Sequence, residues 1–301
     1  MPDSDSRTRH ARPPDSSRWV VVALPVAIIA ISFAAIFFRK AAPTHPLVAA
    51  GTRLALASLL LVPRTLLHRR APGPGRNLWR AGLVAGLFYS IHFGAWVSSL
   101  FLTTVAASVT LVTATPLLLA LHGLATGRDR PGPNLWIAIA LAVVGVAIIG
   151  GHDLTASHGA LVGDALALVG AIAMAGYLLV GRRLGESLDV WAFSSIATAT
   201  GAALLLGAAV AMGLSPLPPS LAALGWIALS AVFPQVIGHG LLTWSLRHTR
   251  PAVVGMSTVG EPVGATLLGY LWLKESVPPI VLLGCAVTVV SVLLALRART
   301  E

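Results

Sequence analysis

The sequence predicts an all-α membrane protein with ten transmembrane helices, arranged as two inverted five-helix repeats. Three observations predict this fold: an apolar composition that is poor in charge, ten apolar windows of membrane-spanning length, and an internal repeat that divides those windows five and five. Of the 301 residues, 56% are hydrophobic and only 11% are charged. Soluble domains carry about 25% charged residues, so the composition excludes a soluble globular enzyme.

The net charge of the chain is strongly positive. Lys and Arg number 21 against 11 Asp and Glu, which gives a formal charge of +10. In so apolar a chain, excess positive charge is typical of loops beside a membrane, so we expect the lipid bilayer and no nucleic acid as a partner. The single cysteine, Cys285, lies in an apolar run. It allows no intramolecular disulfide and no zinc cluster, and we expect no metal and no cofactor.

A bilayer core of about 30 Å requires about 20 apolar residues in each crossing helix. The windows that meet this requirement are Trp19–Phe38, Pro46–Val62, Ala81–Ser99, Val105–Leu124, Leu135–Gly151, Ala160–Val180, Val190–Met212, Ala223–Trp244, Pro251–Leu273 and Pro279–Leu296. They leave only short loops and no room for a soluble domain. Residues Met1–Arg18 are rich in Pro, Ser and charge, which predicts a disordered cytoplasmic tail.

The distribution of basic residues predicts the orientation. If the N-terminus is inside, the cytoplasmic segments contain nearly all the arginines, whereas the outer segments contain only Arg39, Lys40 and Lys274. Positively charged loops remain on the cytoplasmic side. The sequence therefore predicts a multi-pass protein of a bacterial-type cytoplasmic (inner) membrane with both termini in the cytoplasm. An odd number of spans would disrupt this alternation of charge.

An internal repeat divides the chain. Gly94–Val146 aligns without a gap with Gly240–Val292, and the alignment places Pro116 on Pro262 and Pro133 on Pro279. The halves, 19–151 and 160–296, contain five spans each. Because five is odd, the second half must enter the membrane from the opposite side. Inverted repeats of this kind are typical of secondary transporters, whose substrate site lies near the middle of the membrane between the halves.

Two aligned strings resemble those of a known family. ATPLLLALHGLATGR at 114–128 resembles the fourth helix of EamA-type permeases of the drug/metabolite transporter superfamily, and GEPVGATLLGYLWLKE at 260–275 resembles the ninth. Arg53 stands where the second helix of the family often carries an arginine. The resemblance covers about residues 20–296 and implies two EamA-like five-helix repeats that move small metabolites or toxic compounds. The first string departs from the family at 127–130, which reads GRDR where a Gly-Glu-Arg ending is common.

Glu261 is the acidic residue nearest the middle of a span, since every other Asp or Glu falls in a loop, in a tail or close to a helix end. A charge at the bilayer centre costs at least about 2.5–3.5 kcal/mol, so it persists only where it faces a cavity or a partner. One interpretation is substrate or proton binding. The alternative is a structural carboxyl that hydrogen-bonds the backbone freed by Pro262, which has no N–H.

Histidines and aromatic residues predict a pocket on two equivalent spans. Tyr89, His92 and Trp96 have the spacing of one helix face, and His239 lies at almost the same position in the second repeat. Such a face could form half of an aromatic pocket for a planar or cationic ligand. Ordinary packing between helices is the alternative. No histidine pair or histidine–carboxylate pair within the spans has metal-ligand spacing.

Arg53 lies about eight residues into the second span, too deep for its charge to reach the interface easily. It could bind an anionic group, or it could pair with Glu261 as a structural partner. Four prolines within the spans, Pro25, Pro116, Pro234 and Pro262, lack the N–H of the helix ladder and are predicted to bend or break their helices.

The function that these features favour is secondary transport. The sequence contains no Gly-rich ATP-binding loop and only two lysines, which excludes an ATPase, and a single central carboxylate argues against an enzyme. We expect a permease, monomeric or homodimeric, that exports an unidentified small molecule by alternating access, with proton coupling through Glu261. The alternatives are an uptake carrier or exchanger for a small organic solute and, as a weaker one, a channel or structural membrane protein.

Overall fold

The computed structural model describes residues 17–67, 76–126, 133–184, 189–245, 248, 254 and 257–297. Every regular element in this part of the chain is helical, which confirms the predicted all-α class. Residues 1–16 of the predicted disordered tail lie outside the described residues. Ser17 and Arg18, which the sequence analysis assigned to that tail, are helical instead. The helix formed by the apolar run from Trp19 begins two residues earlier, at Ser17.

The helices are α1 Ser17–Ser32, α2 Ala34–Lys40, α3 Pro46–Leu67, α4 Arg76–Ser99, α5 Val105–Val112, α6 Thr115–Ala125, α7 Pro133–Ala156, α8 His158–Leu184, α9 Val190–Ala211, α10 Leu221–Ser230, α11 Gly240–Ser245, α12 Gly260–Leu268 and α13 Pro279–Arg297. Two stretches are π-helical. Ala231–His239 joins α10 to α11, and Gly269–Leu273 extends α12.

Seven helical segments of the described chain are long and apolar enough to cross a membrane. They are Trp19–Lys40, Pro46–Pro63, Arg76–Ser99, Val105–Gly123, His158–Leu184, Val190–Ala211 and Leu221–Ser245. Two shorter apolar helices, Trp136–Ile149 and Pro279–Ser291, fall within the fifth and tenth predicted spans. The predicted span Pro251–Leu273 begins partly outside the described residues, so the count of ten stays a prediction.

The helix breaks follow the prolines only in part. Pro116 is the second residue of α6 and comes directly after the break at residues 113–114, and Pro262 is the third residue of α12. A proline in the first turn removes only an N–H that has no helical partner in any case. Pro25, in contrast, lies inside α1, which continues past it to Ser32. The first span is interrupted at Phe33 instead.

Local side chains fix where several helices start. Thr104 precedes α5, Ser220 precedes α10 and Asp189 precedes α9, and each accepts a hydrogen bond from the backbone N–H three residues further on at 3.1 Å. These caps satisfy N–H groups that the first helical turn leaves unpaired. At the other end of α9, Gly213 takes a φ of +75°, a conformation that glycine adopts without steric cost.

Short turns join successive helices, so neighbours in sequence run antiparallel. The turns at residues 41–45, 100–104, 212–220 and 274–278 therefore lie at one end of the bundle, which we call the Lys40 end. The opposite end holds the starts of α1 and α4 and the C-terminal end of α8, and we call it the Ser17 end.

Helices of the two halves pack directly on one another: α3 on α9, α4 on α8 and α9, and α7 on α13. Glycines permit this closeness between α4 and α9. A Cβ atom on Gly86 would lie 2.4 Å from Thr200, and one on Gly82 would lie 2.6 Å from Ile196. Any larger residue at either position would push the two helices apart.

Candidate functional site

A cavity lies in the middle of the bundle between helices of both halves. It encloses about 1070 Å³ of empty space, its open mouth included. Its polar and aromatic walls come from His92, Trp96, Tyr177, Arg182, His239 and Glu261. The lining extends to Leu119 and Arg182 towards the Ser17 end, and among the described residues it includes none of the turns at the Lys40 end. Within the described residues, the cavity therefore extends towards the Ser17 end.

The structure brings five of the predicted residues into the cavity wall: His92, Trp96, Pro116, His239 and Glu261. The remaining three lie elsewhere. Tyr89 borders a second, apolar groove beside the cavity, and it shares that groove with His239. Arg53 lies behind the cavity wall, and Pro262 is buried within α12.

His92 and Trp96 form one continuous surface on α4. Their rings stack with centroids 6.0 Å apart and planes 14° apart, as their four-residue spacing predicts. His92 Nδ1 lies 2.9 Å from the carbonyl oxygen of Gly170. Because a carbonyl can only accept, Nδ1 carries the proton and Nε2 of the neutral ring is an acceptor. Trp96 Nε1 is a buried donor with no acceptor in the described part of the chain.

Tyr177 extends this aromatic wall from α8. Its ring stacks on that of Tyr89 with a centroid distance of 4.0 Å and an interplanar angle of 11°. Tyr89 in turn meets the ring of His239 edge-on at 6.3 Å. The sequence analysis did not identify Tyr177, although a tyrosine within a span is a usable signal when the chain contains only three.

Arg53 is fully buried, and its partner is an amide. Its Nη2 donates to Gln235 Oε1 at 2.9 Å, and its guanidinium carbon lies 4.5 Å from the ring centroid of Phe93 and 5.4 Å from that of Phe38. The predicted pairing with Glu261 is not among its contacts within the described chain. Gln235 was missed by the sequence analysis, although an amide near the middle of an apolar span was visible.

Glu261 lies in the first turn of α12 and is half-buried in the cavity wall. The unpaired N–H groups of a helix start favour a negative charge at this position. A second carboxylate, Asp164 of α8, is also buried, at 4% exposure, but it lies outside the cavity lining. The sequence analysis missed its burial because Asp164 is near a helix end.

The described residues hold no group of three or more His, Cys, Asp and Glu side chains arranged to bind a metal ion. The polar groups of the cavity instead come from several helices and lie among apolar residues. Such a mixture of a few polar groups with aromatic and aliphatic walls is typical of a site for a small organic molecule.

Sequence comparison decides the family. The model of the EamA-like transporter family matches residues 18–151 and, a second time, residues 161–297. The chain belongs to the EamA-like transporter family. This result confirms the resemblance drawn from the strings at 114–128 and 260–275, and it supports a permease.

Relatives of this EamA-like transporter occur in Escherichia coli. The chain is 26% identical over 256 residues to the "Uncharacterized inner membrane transporter YedA" of strain K12, in an alignment that covers 83% of this chain and 81% of the relative. The proteins of the same name in strains O6:H1 and O157:H7 give the same values. A solved structure described only as a crystal structure of a protein superposes with a TM-score of 0.66 at 18% identity, covering 93% of this chain and 99% of the other. At that identity the similarity shows the fold alone.

Proposed function

We propose that this EamA-like transporter is a secondary carrier of the inner membrane that exports a small organic solute by alternating access. The central cavity is the solute site, and the Ser17 end faces the cytoplasm. The observation that carries the proposal is the cavity itself, because a mid-bundle site built by both halves and open at one end is what a carrier loads in one of its two states. The inner membrane is the location that the name of the Escherichia coli relatives gives for those proteins.

The packing of equivalent helices supports an inverted-repeat mechanism. α7 begins at Pro133 and α13 begins at Pro279, two residues that the internal repeat aligns. These two helices pack on each other, and so do α3 and α9, which are the second helices of the two halves. Two halves related by a twofold axis bring equivalent helices together in this way. A rocking motion of one half against the other would then expose the cavity at each end in turn.

Glu261 is the group we assign to proton coupling. It is the carboxylate that lines the cavity, and the other titratable groups in the wall are His92, His239, Tyr177 and Arg182. A carboxylate that holds either a proton or a cationic part of the solute allows one to replace the other. Inward proton flow then drives the solute outward.

The cavity wall favours a solute with a planar apolar part. The stacked rings of His92 and Trp96 offer a flat surface. Glu261 adds an acceptor with negative charge on the opposite half of the chain. A planar solute that carries one cationic group satisfies both.

The proposal is tested in proteoliposomes. Purified protein is reconstituted, and the proteoliposomes are loaded with an excess of one unlabelled candidate solute from a panel of amino acids, nucleosides and cationic dyes. Uptake of the same solute in radiolabelled form is then measured. A carrier shows accelerated exchange when solute is present on the far side, whereas a channel shows none. Absence of such exchange across the whole panel, in protein that is folded and monodisperse, would contradict the proposal.

A blocking experiment links the exchange to the cavity. In a Cys285→Ala background, Met174→Cys places a thiol in the cavity wall, and Ile172→Cys places one on the exposed side of the same helix. A bulky maleimide should stop exchange in the first variant and leave it unchanged in the second. If maleimide reduces exchange equally in both variants, or reduces it in neither, the solute does not pass through the cavity.

A further inference from the structure

Three segments of the chain meet at the Lys40 end, above the closed side of the cavity. They are the last turn of α2, which carries Arg39, the residues that lead into α5, and Glu275, which follows the second π-helical stretch. The first two belong to the first half of the chain and the third belongs to the second half. Any motion that separates the halves at this end must change the contacts among them.

The contacts are specific. Arg39 Nη2 donates to the carbonyl oxygen of Thr103 at 3.0 Å and lies 3.8 Å from Glu275 Oε1. The same Oε1 accepts the backbone N–H of Val105 at 2.9 Å. One carboxylate oxygen therefore joins α2 and the start of α5 to the second half. We call these four residues the latch.

The backbone around Glu275 is shaped for this contact. Lys274 is in the left-handed region, with a φ of 56°, which reverses the chain directly after the π-helical stretch. The N–H of Glu275 then donates to the carbonyl oxygen of Gly269 at 3.3 Å. Left-handed backbone is unfavourable for a lysine, and strain of this kind persists where the surroundings enforce it. The reversal turns the Glu275 side chain towards the first half.

The latch also separates two spaces. A groove at the Lys40 end is bordered by Arg39, Thr103 and Glu275, and the central cavity lies deeper in the bundle. The two spaces have no lining residue in common among those described. The side chains of Arg39 and Glu275 are 28% and 17% exposed, so the ion pair lies at the boundary between the surface and the closed interior.

We infer that the latch is the gate of the Lys40 end: it is closed in the state described here and opens when the cavity is exposed to that end. This inference rests on the proposed function. It assigns gating roles to Arg39 and Glu275, which do not line the cavity. Because both partners of Glu275 are in the first half, loss of its charge weakens two contacts between the halves at once.

The test measures access to the cavity and not transport. Met174→Cys in the Cys285→Ala background is labelled with a membrane-impermeant maleimide from each side, in intact cells and in inverted vesicles. In the parent, labelling should be fast from the Ser17 side and slow from the Lys40 side. Glu275→Gln should raise the labelling rate from the Lys40 side about tenfold. A tenfold rise in the population that is open at this end corresponds to ~1.4 kcal/mol. Lys40→Gln is the matched control, since it removes an exposed charge next to Arg39 that takes no part in the latch, and it should leave the rate unchanged.

A second variant removes one latch contact with little effect on folding. Val105 is the first residue of α5, where proline is well tolerated, and Thr104 before it already has the extended backbone that precedes a proline. The internal repeat also places Pro251 at the equivalent position. Val105→Pro deletes the N–H that Glu275 accepts and should raise labelling from the Lys40 side, while labelling from the Ser17 side persists.

The outcomes separate the latch from the solute site. If Glu275→Gln and Val105→Pro label no faster from the Lys40 side than Lys40→Gln does, the latch inference is wrong while the proposed function stands. If both variants open the Lys40 side although no solute of the panel is exchanged, the gate is supported independently of the solute. If Met174→Cys is labelled from neither side in any variant, the cavity is not accessible, and both proposals are overturned.

Discussion

Replacing Gln235 by leucine removes the hydrogen bond that Arg53 makes within the described chain. Hydrogen bonds to charged groups contribute about 1.5–3 kcal/mol, and Arg53 is fully buried, so water cannot take the place of the lost acceptor. We expect Gln235→Leu to lower the free energy of unfolding by about 2–3 kcal/mol. Arg53→Met removes the charge itself. Arg53→Met alone should cost at least about 1.5 kcal/mol, because it leaves the buried Gln235 acceptor unpaired. The double variant should be scarcely less stable than Gln235→Leu alone, so the coupling energy equals the cost of Arg53→Met, at least about 1.5 kcal/mol.

The assay is reversible unfolding in mixed micelles, followed by tryptophan fluorescence, for the two single variants and the double variant. Thr288→Val serves as the control partner for Arg53→Met, because Thr288 is equally buried but bonds to Gly284 of its own helix, and α13 does not pack on α3. That control cycle should give a coupling energy near zero. Hydrogen bonds between membrane helices average about 0.6 kcal/mol. A coupling energy at or below that value for Arg53 and Gln235 would show that the guanidinium is stabilised by other groups, and our reasoning about the pair would be refuted.

Three further predictions concern topology, the cavity and coupling. Reporter fusions after Gly151 and after Arg183 should report opposite sides of the membrane, because α8 crosses between them; the same side for both would contradict the predicted topology. His92→Ala and Trp96→Ala should each reduce exchange at least about tenfold at near-normal yield, since each removes part of the flat cavity wall, and normal exchange in both variants would place the site elsewhere. Glu261→Gln should abolish ΔpH-driven transport while solute binding, measured by calorimetry, persists. A variant that still responds to a pH gradient would exclude Glu261 as the coupling group, and a variant that misfolds would show that Glu261 is structural.

The sequence predicted helix positions well where length and apolarity decide them. The predicted window Val190–Met212 matches α9 within one residue at its end, and Pro279–Leu296 matches α13 equally closely. Membrane crossing is a one-dimensional requirement, so a run of apolar residues is sufficient evidence. The interruption at Phe33 was not predicted, because it depends on tertiary contacts. Its ring lies 5.8 Å from that of Trp272, a residue of the other half.

The candidate site was predictable only within single helices. His92 and Trp96 were placed on one face because a four-residue spacing on a helix is a local property. The partner of Arg53 was not predicted, because Gln235 is 182 residues away in the sequence. Nothing in the sequence favours Gln235 over Glu261 as the acceptor. Contacts of such long range depend on how the two halves pack, which periodicity does not encode.

The two halves also differ in backbone conformation near the residues that form polar contacts between them. Both π-helical stretches of the described chain lie in the second half; one carries Gln235 to Arg53, and the other ends just before Glu275. A π-helical turn holds an extra residue and so rotates the side chains that follow it, a device often found at functional positions. The equivalent of the first stretch, within α4, is ordinary α-helix.

This difference has an energetic consequence for the proposed cycle. The latch depends on the backbone N–H of Val105, and the residue that the repeat places there in the second half is Pro251, which has no N–H. In the opposite state, which is closed at the Ser17 end, position 251 cannot donate the equivalent hydrogen bond. This bond therefore contributes stability only to the state closed at the Lys40 end. A ligand shifts such an equilibrium only by binding one state better than the other. Opening of the latch must then be driven by solute in the cavity or by a proton on Glu261, whichever binds the opposite state more tightly.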